Sequence, residues 1–499
     1  MIEATKDFLL KQEESYLKRR EEILNTKDEL KIEGTTYYVS NDGDDNNDGL
    51  TPETSWKNPN RINKTWLYPG DGVLFKRGDL FRGQAIVSQP GVTYGAYGEG
   101  EKPKFYGWDE NLADPSLWEE YDKEHHIWKY TNKVLDPGTL VFNDGEAHSR
   151  KHIPSFRDMQ FVCRDDESKP FVMADEMTEN LDIYWHFMDV LITQPSKGED
   201  FPIPQVDKTT MGDLYLRCDE GNPGAVFNSI EVIAKRIAFT CSNYENIKID
   251  NICMKYYCIG VSGGHGIKGL HVSNCEIGWI GGNIMMYLGT DPNYPEGRRG
   301  SVTRYGNGIE VYGACDGFIV ENNYIYEGYD AGASHQVNAR KPQDMKNVIY
   351  KDNLIEKCVY GIEYFLGQLA EDYTSWMENI EICDNIIRLS GYGWGQQRHN
   401  YYEPALIKGW SYENHAKNFK ICRNTLDRCA YRMVHLVAQK DEYCPLMEGN
   451  TYIQDVDKMI GQWGGNETKE PEIEMFDENA EEKINNIFGD KTAKVYIIK

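Results

Sequence analysis

The chain has 499 residues, 40% of them hydrophobic, so it is long and apolar enough to bury a large core. Asp and Glu total 80 against 54 Lys and Arg. The resulting formal net charge of −26 argues against nucleic acid or an anionic membrane as a partner and favours a neutral ligand. Residues 1–34 carry charges throughout and lack the apolar stretch of a signal peptide, so we expect a cytoplasmic protein unless a signal has been removed.

Hydrophobic residues near the N-terminus recur at close to a seven-residue spacing, as Phe8 and Leu9, Tyr16 and Leu17, and Ile23 and Leu24. This spacing predicts one amphipathic helix over residues 2–31, and Gly34 supplies a stop. We interpret residues 1–34 as a helical cap that plugs the open N-terminal end of the fold described below. The alternative role for this helix is contact within a homo-oligomer.

Residues 35–100 alternate strand-like runs with Asx and Gly turns, as in TTYYVSNDGDDNNDGL. Within the first turn, Asp44, Asn46 and Asp48 match the first half of a calcium loop, but Ser55 stands where that loop needs a glutamate. A plain turn is therefore favoured over a structural Ca²⁺ site. No cofactor is predicted to be required.

Residues 101–235 are rich in Trp, Asp, Glu and Pro and contain strand-like pieces such as HHIWKYT, GTLVFND and GDLYLRC. They lack the asparagine pattern of the later sequence. We predict an inserted lobe that resembles a β-sandwich.

Residues 236–465 repeat one short unit, a run of alternating apolar residues followed by an asparagine in a turn-like position, with a basic period of about 23 residues plus insertions. The runs are too short for helices, and a leucine-rich frame is absent. The pattern predicts an all-β fold, a right-handed parallel β-helix whose coils stack about 4.8 Å apart and whose corner asparagines form a ladder. Residues 466–499 are predicted to be an acidic C-terminal extension. The seven asparagines are Asn251, Asn274, Asn323, Asn353, Asn385, Asn424 and Asn450.

The twelve cysteines are scattered through apolar strand contexts without CxxC pairs. We interpret them as reduced thiols inside the coils, which agrees with a reducing compartment.

The opening YYVSNDGDDNNDGLTPETSWKN with PGDGVLFKRGD, the later LYLRCDEGNPG, and coils such as GNGIEVYGACDGFIVENNYIYEGYDAGASHQ together resemble bacterial β-helix glycoside hydrolases. In particular, they resemble the group of β-xylosidases and α-fucosidases that carry an inserted β-sandwich lobe. The resemblance covers roughly residues 35–460 and is more specific for architecture than for activity. It implies hydrolysis of a glycosidic bond by a carboxylate pair on one face of the coils.

Three consecutive coils align on glycines, as Gly308-Ile309-Glu310, Gly332-Ala333-Ser334 and Gly361-Ile362-Glu363. This alignment places Glu310 and Glu363 at equivalent outward positions two coils apart, about 9.6 Å, near the upper limit for an inverting pair. Asp330 lies one coil from each and is predicted to form a closer pair, at about 5 Å, with the retaining geometry. The sequence leaves both pairings open for these three catalytic candidates.

Long insertions beside these coils supply candidates for substrate binding, because aromatic faces stack on sugar rings while amides and guanidinium groups bond hydroxyls. His335 and Gln336 are expected to emerge beside Asp330, where His335 could orient a carboxylate. The predicted substrate-binding residues are His335, Gln336, Arg304, Trp394, Arg398, His399, Trp410 and Tyr364. No metal ligand set is predicted.

The leading hypothesis is a cytoplasmic glycosidase that cleaves a neutral oligosaccharide, acting from the chain end. The alternative is a polysaccharide lyase acting on uronates, which needs a Lys, Arg or His base and cationic groups, often with Ca²⁺, to neutralise the substrate carboxylate. Arg298, Arg299, Arg304 and Arg340 could supply the cationic groups. The net charge disfavours that alternative. A third hypothesis is a carbohydrate-binding β-helix without catalysis.

Overall fold

The computed structural model describes residues 1–27, 29–152, 172–187, 206, 208–288, 301–369, 372–398, 402–410 and 413–499. In these ranges the chain winds into stacked coils, each contributing one strand to each of three long sheets. The predicted all-β class and parallel β-helix are confirmed. Among the described residues, none of the helices is both long and apolar enough to cross a membrane.

The N-terminal part contains one long helix and the first coils. Its elements are β1 (Ile2–Glu3), α1 (Lys6–Leu24), β2 (Thr36–Val39), β3 (Gly72–Lys76), β4 (Leu80–Arg82), β5 (Ile86–Val87), β6 (Thr93–Tyr97) and β7 (Lys104–Tyr106). Short 3₁₀ turns at Pro52–Thr54 and Pro59–Lys64 connect β2 to β3.

A lobe is inserted between β7 and the next coil strand. Its elements are β8 (Trp118–Asp122), β9 (Ile127–Leu135), β10 (Pro137–Phe142), β11 (Ala147–His148), β12 (Arg150–His152), α2 (Met173–Glu176), β13 (Asp182–His186), β14 (Met211–Arg217) and α3 (Pro223–Val226), with 3₁₀ turns at Pro115–Leu117 and Asn143–Gly145. Five of its strands form a separate sheet in the order β12-β13-β14-β9-β8. This sheet shares an apolar core with β10 and with the strand that resumes the coils at Ile230.

The later coils run from residue 230 to residue 465. Their strands are β15 (Ile230–Thr240), β16 (Glu245–Asp250), β17 (Cys253–Lys255), β18 (Tyr257–Gly263), β19 (Ile267–Ser273), β20 (Glu276–Ile280), β21 (Asn283–Leu288), β22 (Ser301–Tyr305), β23 (Ile309–Tyr312), β24 (Cys315–Glu321), β25 (Tyr324–Gly328), β26 (Ala331–Ala339), β27 (Met345–Lys351), β28 (Leu354–Glu356), β29 (Tyr360–Gln368), β30 (Met377–Cys383), β31 (Ile386–Ser390), β32 (Ala405–Gly409), β33 (Ala416–Cys422), β34 (Thr425–Cys429), β35 (Arg432–Ala438), β36 (Leu446–Glu448), β37 (Thr451–Asp455) and β38 (Met459–Gly465). Two 3₁₀ turns, Trp394–Gln397 and Asp441–Tyr443, lie in the connections. The chain ends with β39 (Glu474–Met475), α4 (Ala480–Asn486) and β40 (Lys494–Ile498).

Each long sheet is a stack of hydrogen-bonded strands from successive coils. Sheet 1 has the order β2-β3-β6-β16-β19-β24-β27-β30-β33-β36, and sheet 2 has the order β1-β40-β37-β34-β31-β28-β25-β20-β17-β7-β4. Sheet 3 has the order β11-β10-β15-β18-β23-β26-β29-β32-β35-β38-β39, with β5 also paired to β15. The inward side chains of the three sheets form one continuous hydrophobic core along the solenoid.

A buried asparagine ladder follows the corner between sheets 1 and 2. Each asparagine amide donates to the side-chain oxygen of the asparagine in the next coil, and Asp490 accepts from the last asparagine, Asn450, at 2.8 Å. The ladder consists of Asn323, Asn353, Asn385, Asn424 and Asn450. Asn274 lies one position earlier, in register with the left-handed residue Asn322, and Cys275 stands opposite Asn323. Five of the seven predicted asparagines therefore form the ladder, while Asn251 and Asn274 make the left-handed turn before it.

Replacing Asn385 by Ala is expected to lower the free energy of unfolding by about 3 kcal/mol, because several buried polar groups lose their partner together. The Asn385 amide donates to the carbonyl oxygens of Tyr350 and Cys383 at 2.9 and 3.0 Å, and its oxygen accepts from Asn353. Urea unfolding followed by circular dichroism measures the change. Asn60→Ala, at an exposed position, is the matched control, and equal losses in the two variants would contradict a stabilising role for the ladder.

The cysteines require a correction, because Cys383 and Cys422 form a disulfide. They lie opposite each other in β30 and β33, with Cα atoms 4.6 Å apart. Coil stacking brings these two residues together although 39 positions separate them, which their sequence spacing does not reveal. Nine further cysteines among the described residues are free, and eight of these are buried, as predicted for core thiols.

The predicted N-terminal helix is present as α1, and it lies along the flank of the coils rather than across their open end. Arg19 donates to the backbone oxygen of Asp352 at 2.6 Å, and Tyr16 packs under the Arg388 guanidinium at 4.5 Å. Strand β1, just before the helix, pairs with β40 at the far end of sheet 2. The buried residues of the helix are Tyr16 and Ile23, and its Glu13 bonds to Arg388 of the coils, so the helix covers one side of the coils and not their open end.

The turn proposed to bind Ca²⁺ is held by its own hydrogen bonds. Asp44 accepts from the backbone and the amide of Asn46 at 2.9 and 2.8 Å, and Asp48 accepts from the hydroxyl of Thr54 at 2.7 Å. These bonds account for the carboxylates as turn residues. The Ca²⁺ hypothesis stays a prediction.

Candidate active site

A row of polar side chains crosses sheet 3 on its outward face. In register, it consists of Ser262, Glu310, Ser334, Glu363, Lys408, His435 and Gln462. Glu310 and Glu363 occupy equivalent positions on β23 and β29, with Ser334 of β26 between them. The glycine alignment predicted this register correctly, because the coils of Glu310, Ser334 and Glu363 begin sheet 3 with the same Gly–hydrophobic–polar step.

Glu363 is the most enclosed carboxylate of this row, with 5% of the residue exposed. The indole N–H of Trp410 contacts one carboxylate oxygen, and the Gln336 amide lies 3.4 Å from the other. Burial raises the pKa of Glu363 to about 8, and the negative charge of Asp330 adds to this effect. Glu363 therefore holds its proton at neutral pH.

Asp330 immediately precedes β26 and is also buried, with 8% exposed. Its carboxylate contacts the Arg398 guanidinium in an ion pair, and both side chains are nearly enclosed. Burial raises the pKa of Asp330, whereas the charge of Arg398 opposes that shift. Because the direct cationic partner lies at Asp330 and not at Glu363, we assign the negative charge of the pair to Asp330.

Asp330 belongs to the predicted coil, but it does not stand in the same row as the two glutamates. Its coil does lie between those of Glu310 and Glu363, but it stands four residues before Ser334, or about 13 Å along an extended strand. Asp330 thus approaches the row from the corner of the coil, and its charge raises the pKa of both glutamates. The predicted 5 Å carboxylate pair stays a prediction.

Glu310 is half-buried and accepts two hydrogen bonds, from the Ser262 hydroxyl at 3.0 Å and from the Asn307 amide at 2.7 Å. The side-chain oxygen of Asn307 also accepts from the backbone N–H of Ala331 at 2.9 Å, which ties Glu310 to the start of β26. Burial raises the pKa of Glu310, and these two hydrogen bonds oppose the shift.

The 3₁₀ turn Trp394–Gln397 lies beside Asp330 and carries Arg398 at its end. Trp394 is 1% exposed and donates its indole N–H to the backbone oxygen of Glu327 at 2.7 Å, so it fastens the turn to β25. Gln397 donates to the backbone oxygen of Ser149 in the lobe at 2.7 Å. The turn and the lobe together form a wall beside Asp330, at the start of the sheet 3 strands.

Two predicted substrate-binding residues point into the core instead. The rings of His335 and Tyr364 stack at 5.8 Å inside the coils, and His335 is fully buried with its Nδ1 2.9 Å from the Tyr350 hydroxyl. Strand alternation explains this, since neighbours of the outward residues Ser334 and Glu363 must face inward. This orientation contradicts their predicted contact with substrate.

The remaining predicted binding residues divide by position, and Trp394, 1% exposed within its turn, is closed to the predicted stacking on a sugar. Arg304 is buried at the lobe junction, where it donates to the backbone oxygens of Gly282 and Gly138 at 2.6 and 2.8 Å, and it is therefore structural. Gln336, Arg398 and Trp410 do lie beside the carboxylates. His399 lies outside the described residues, as do Arg298 and Arg299.

Sequence reasoning missed a cationic group next to Glu363. Lys408 is in register with Glu363, lies 2.9 Å from Glu403 and sits 4.0 Å from the centre of the Trp410 ring. Burial, followed by the charge of Arg432, lowers the pKa of Lys408 to about 8. Extending the coil alignment to the step Leu406-Ile407-Lys408 would have found it, although that coil lacks the guiding glycine.

No protein-family model matches the chain. Among curated proteins, the chain is 32% identical over 123 residues to a lacto-N-biosidase of Bifidobacterium longum subsp. longum. The match covers 22% of this chain and 7% of that protein, so this chain corresponds to only a small part of the relative's length.

Two solved structures that resemble this chain over most of its length carry names that refer to sugars. GH136 lacto-N-biosidase from Eubacterium ramulus matches with 12% identity and a TM-score of 0.37, over 98% of this chain and 71% of that one. The complex of XylC with xylose matches with 10% identity and a TM-score of 0.36, over 92% and 86% of the two chains. Scores and identities this low carry no argument about the activity of this chain.

Proposed function

We propose that the protein is a glycoside hydrolase that cleaves a neutral oligosaccharide, with Glu363 as general acid and Asp330 as the ionised carboxylate. One observation carries the proposal: a buried carboxyl whose pKa is raised to about 8 lies within electrostatic range of a second carboxylate that is paired with Arg398. One protonated and one ionised carboxyl group on the same face are what glycosidic cleavage requires.

In the proposed reaction Glu363 gives its proton to the glycosidic oxygen as the bond from that oxygen to the anomeric carbon breaks. Asp330 stabilises the positive charge that develops on the sugar. It then either bonds to the anomeric carbon, with later hydrolysis by water, or removes a proton from the attacking water. Proton NMR of the first product anomer distinguishes the retaining from the inverting course. Glu310 is proposed to hold a sugar hydroxyl.

Action from the chain end is supported by the wall beside Asp330, at the start of the sheet 3 strands. The Trp394–Gln397 turn packs on the corner before β26 and bonds to the lobe, so a saccharide extends from Asp330 in one direction along the strands. The name of the curated relative, lacto-N-biosidase, adds support for a short neutral oligosaccharide as substrate.

One observation favours the lyase hypothesis. The pKa of Lys408 is lowered to about 8, so this lysine can act as a base near neutral pH. However, Lys408 and Arg432 both contact Glu403, and Arg398 contacts Asp330. These cations are already compensated by protein carboxylates. They would therefore stabilise a substrate carboxylate less, so hydrolysis of a neutral glycan is the better-supported function.

The test is hydrolysis of aryl glycosides of xylose, fucose, galactose, arabinose and lacto-N-biose, with uronate polymers assayed in parallel for the ultraviolet absorbance of an unsaturated product. Release of aryl alcohol that is lost in Glu363→Gln or Asp330→Asn supports the proposal. Appearance of the unsaturated product, with loss in Lys408→Met, would establish the lyase instead. Full activity in both carboxylate variants would refute the assignment of the site.

Activity is expected to fall as the pH rises through about 8, because Glu363 donates only while it is protonated and its pKa is raised to that value. The relevant measurement is kcat/KM against pH for an oligosaccharide. Lys408 titrates near the same pH, so Lys408→Met is the control. The basic limb should persist in that variant. Its disappearance would assign the limb to Lys408 and remove Glu363 from the role of acid.

A further inference from the structure

A second outward row lies two residues further along the strands of sheet 3, about 7 Å from the carboxylate row. In register, it contains Tyr312 on β23, Gln336 on β26 and Phe365 on β29. Tyr312 is 40% exposed, whereas Gln336 and Phe365 are each 8% exposed. A large aromatic side chain therefore faces solvent directly beside the candidate active site, on the side away from the wall.

The Tyr312 ring is held in place by its neighbours. His265 and Phe365 contact it at near-right angles, with ring centres 6.2 and 6.4 Å away. The amide of Asn338 lies 3.5 Å from its hydroxyl. Gly313, with a φ of +123°, lets His265 lie against the backbone, where a side chain at position 313 would collide with the imidazole. An aromatic ring fixed in this way loses little conformational entropy when a ligand stacks on it.

We infer that Tyr312, with Gln336 and Asn338, forms a second sugar-binding subsite that holds a later residue of a neutral oligosaccharide. The inference rests on the proposed function. An aromatic face stacks on the C–H-rich face of a pyranose, and two side-chain amides at its border can bond the ring hydroxyls. The three side chains carry no formal charge, which suits a neutral saccharide better than a uronate.

The position of this subsite sets the direction of the bound chain. Asp330 and the wall lie at the start of the strands, the glutamates follow, and Tyr312 lies beyond them. The saccharide thus runs parallel to the strands, across one side of the coil, and not along the axis of the solenoid. The terminal sugar lies at the wall and a later sugar of the same chain lies on Tyr312.

The test compares Tyr312→Ala with Tyr312→Phe, which keeps the ring, and with Tyr68→Ala, which removes a tyrosine that is 64% exposed on another part of the surface. The probes are lacto-N-tetraose and xylotetraose, together with a p-nitrophenyl monosaccharide. Tyr312→Ala should raise KM for the tetrasaccharide that is cleaved about 3- to 10-fold, as expected for one lost stacking contact. It should leave kcat and KM for the monosaccharide glycoside unchanged, and Tyr312→Phe should retain most of the tetrasaccharide affinity.

Calorimetric binding of the same tetrasaccharides to Glu363→Gln, with and without Tyr312→Ala, separates this inference from the proposed function. Weaker binding in the double variant without any hydrolysis by the wild type would keep the subsite and reject the hydrolase. Identical tetrasaccharide binding by Tyr312→Ala and Tyr68→Ala would overturn the subsite. Absence of tetrasaccharide binding by the wild type would also overturn the subsite. Cleavage of the aryl glycosides would still test the proposed reaction independently.

Discussion

Replacing Glu363 by Gln is expected to lower kcat for an oligosaccharide on the order of 10³-fold, because glutamine has no proton to give to the leaving sugar oxygen. The side chain keeps its size and its place beside Trp410, so KM should change little. Steady-state kinetics on the best tetrasaccharide measures both parameters. The loss belongs to the chemical step, and substrate binding should be retained.

A leaving group that needs no protonation provides the internal control. With a dinitrophenyl glycoside the loss in Glu363→Gln should shrink strongly, since that phenol departs as an anion. Glu381→Gln, which changes an exposed glutamate on sheet 1, controls for the loss of a negative charge from this acidic protein. Equal losses on both leaving groups would show that Glu363 is not the acid.

The fold could be predicted because it repeats. Each coil presents a short apolar alternation and a corner asparagine, and a stack of coils is the arrangement that buries these strands together. It was harder to predict which residue of each coil faces inward at the corner, since Asn274 and Asn323 occupy similar local sequences. Which of two adjacent polar residues turns inward depends on the neighbouring coil, and Cys275, not Asn274, lies opposite Asn323.

The site was predictable only where strand register alone determines it. Glu310 and Glu363 follow from the glycine alignment, whereas the same alternation, applied consistently, would have placed His335 and Tyr364 inside. The ion pair of Arg398 with Asp330 depends on how a long connection folds back, and sequence offers no period for that. The disulfide of Cys383 escaped prediction for a related reason, because insertions of unequal length hide which residues become neighbours.

Replacing Asp330 by Asn is expected to reduce kcat on the order of 10³-fold for oligosaccharides and activated aryl glycosides alike, because the carboxylate acts on the sugar and not on the leaving group. This uniform loss distinguishes Asp330 from Glu363. The substitution also removes a negative charge that raises the pKa of Glu363. The basic limb of the residual activity should therefore move to lower pH.

The same variant should lose about 3 to 5 kcal/mol of stability, since it leaves the enclosed Arg398 guanidinium without its carboxylate. The double variant Asp330→Asn/Arg398→Gln removes both charges and should recover much of that stability in urea unfolding while remaining inactive. Activity that returned together with stability would mean that Asp330 only supports the fold. Inactivity in a double variant as stable as the wild type assigns the Asp330–Arg398 pair a role in the reaction, because the fold is then intact and only these two charged groups are missing.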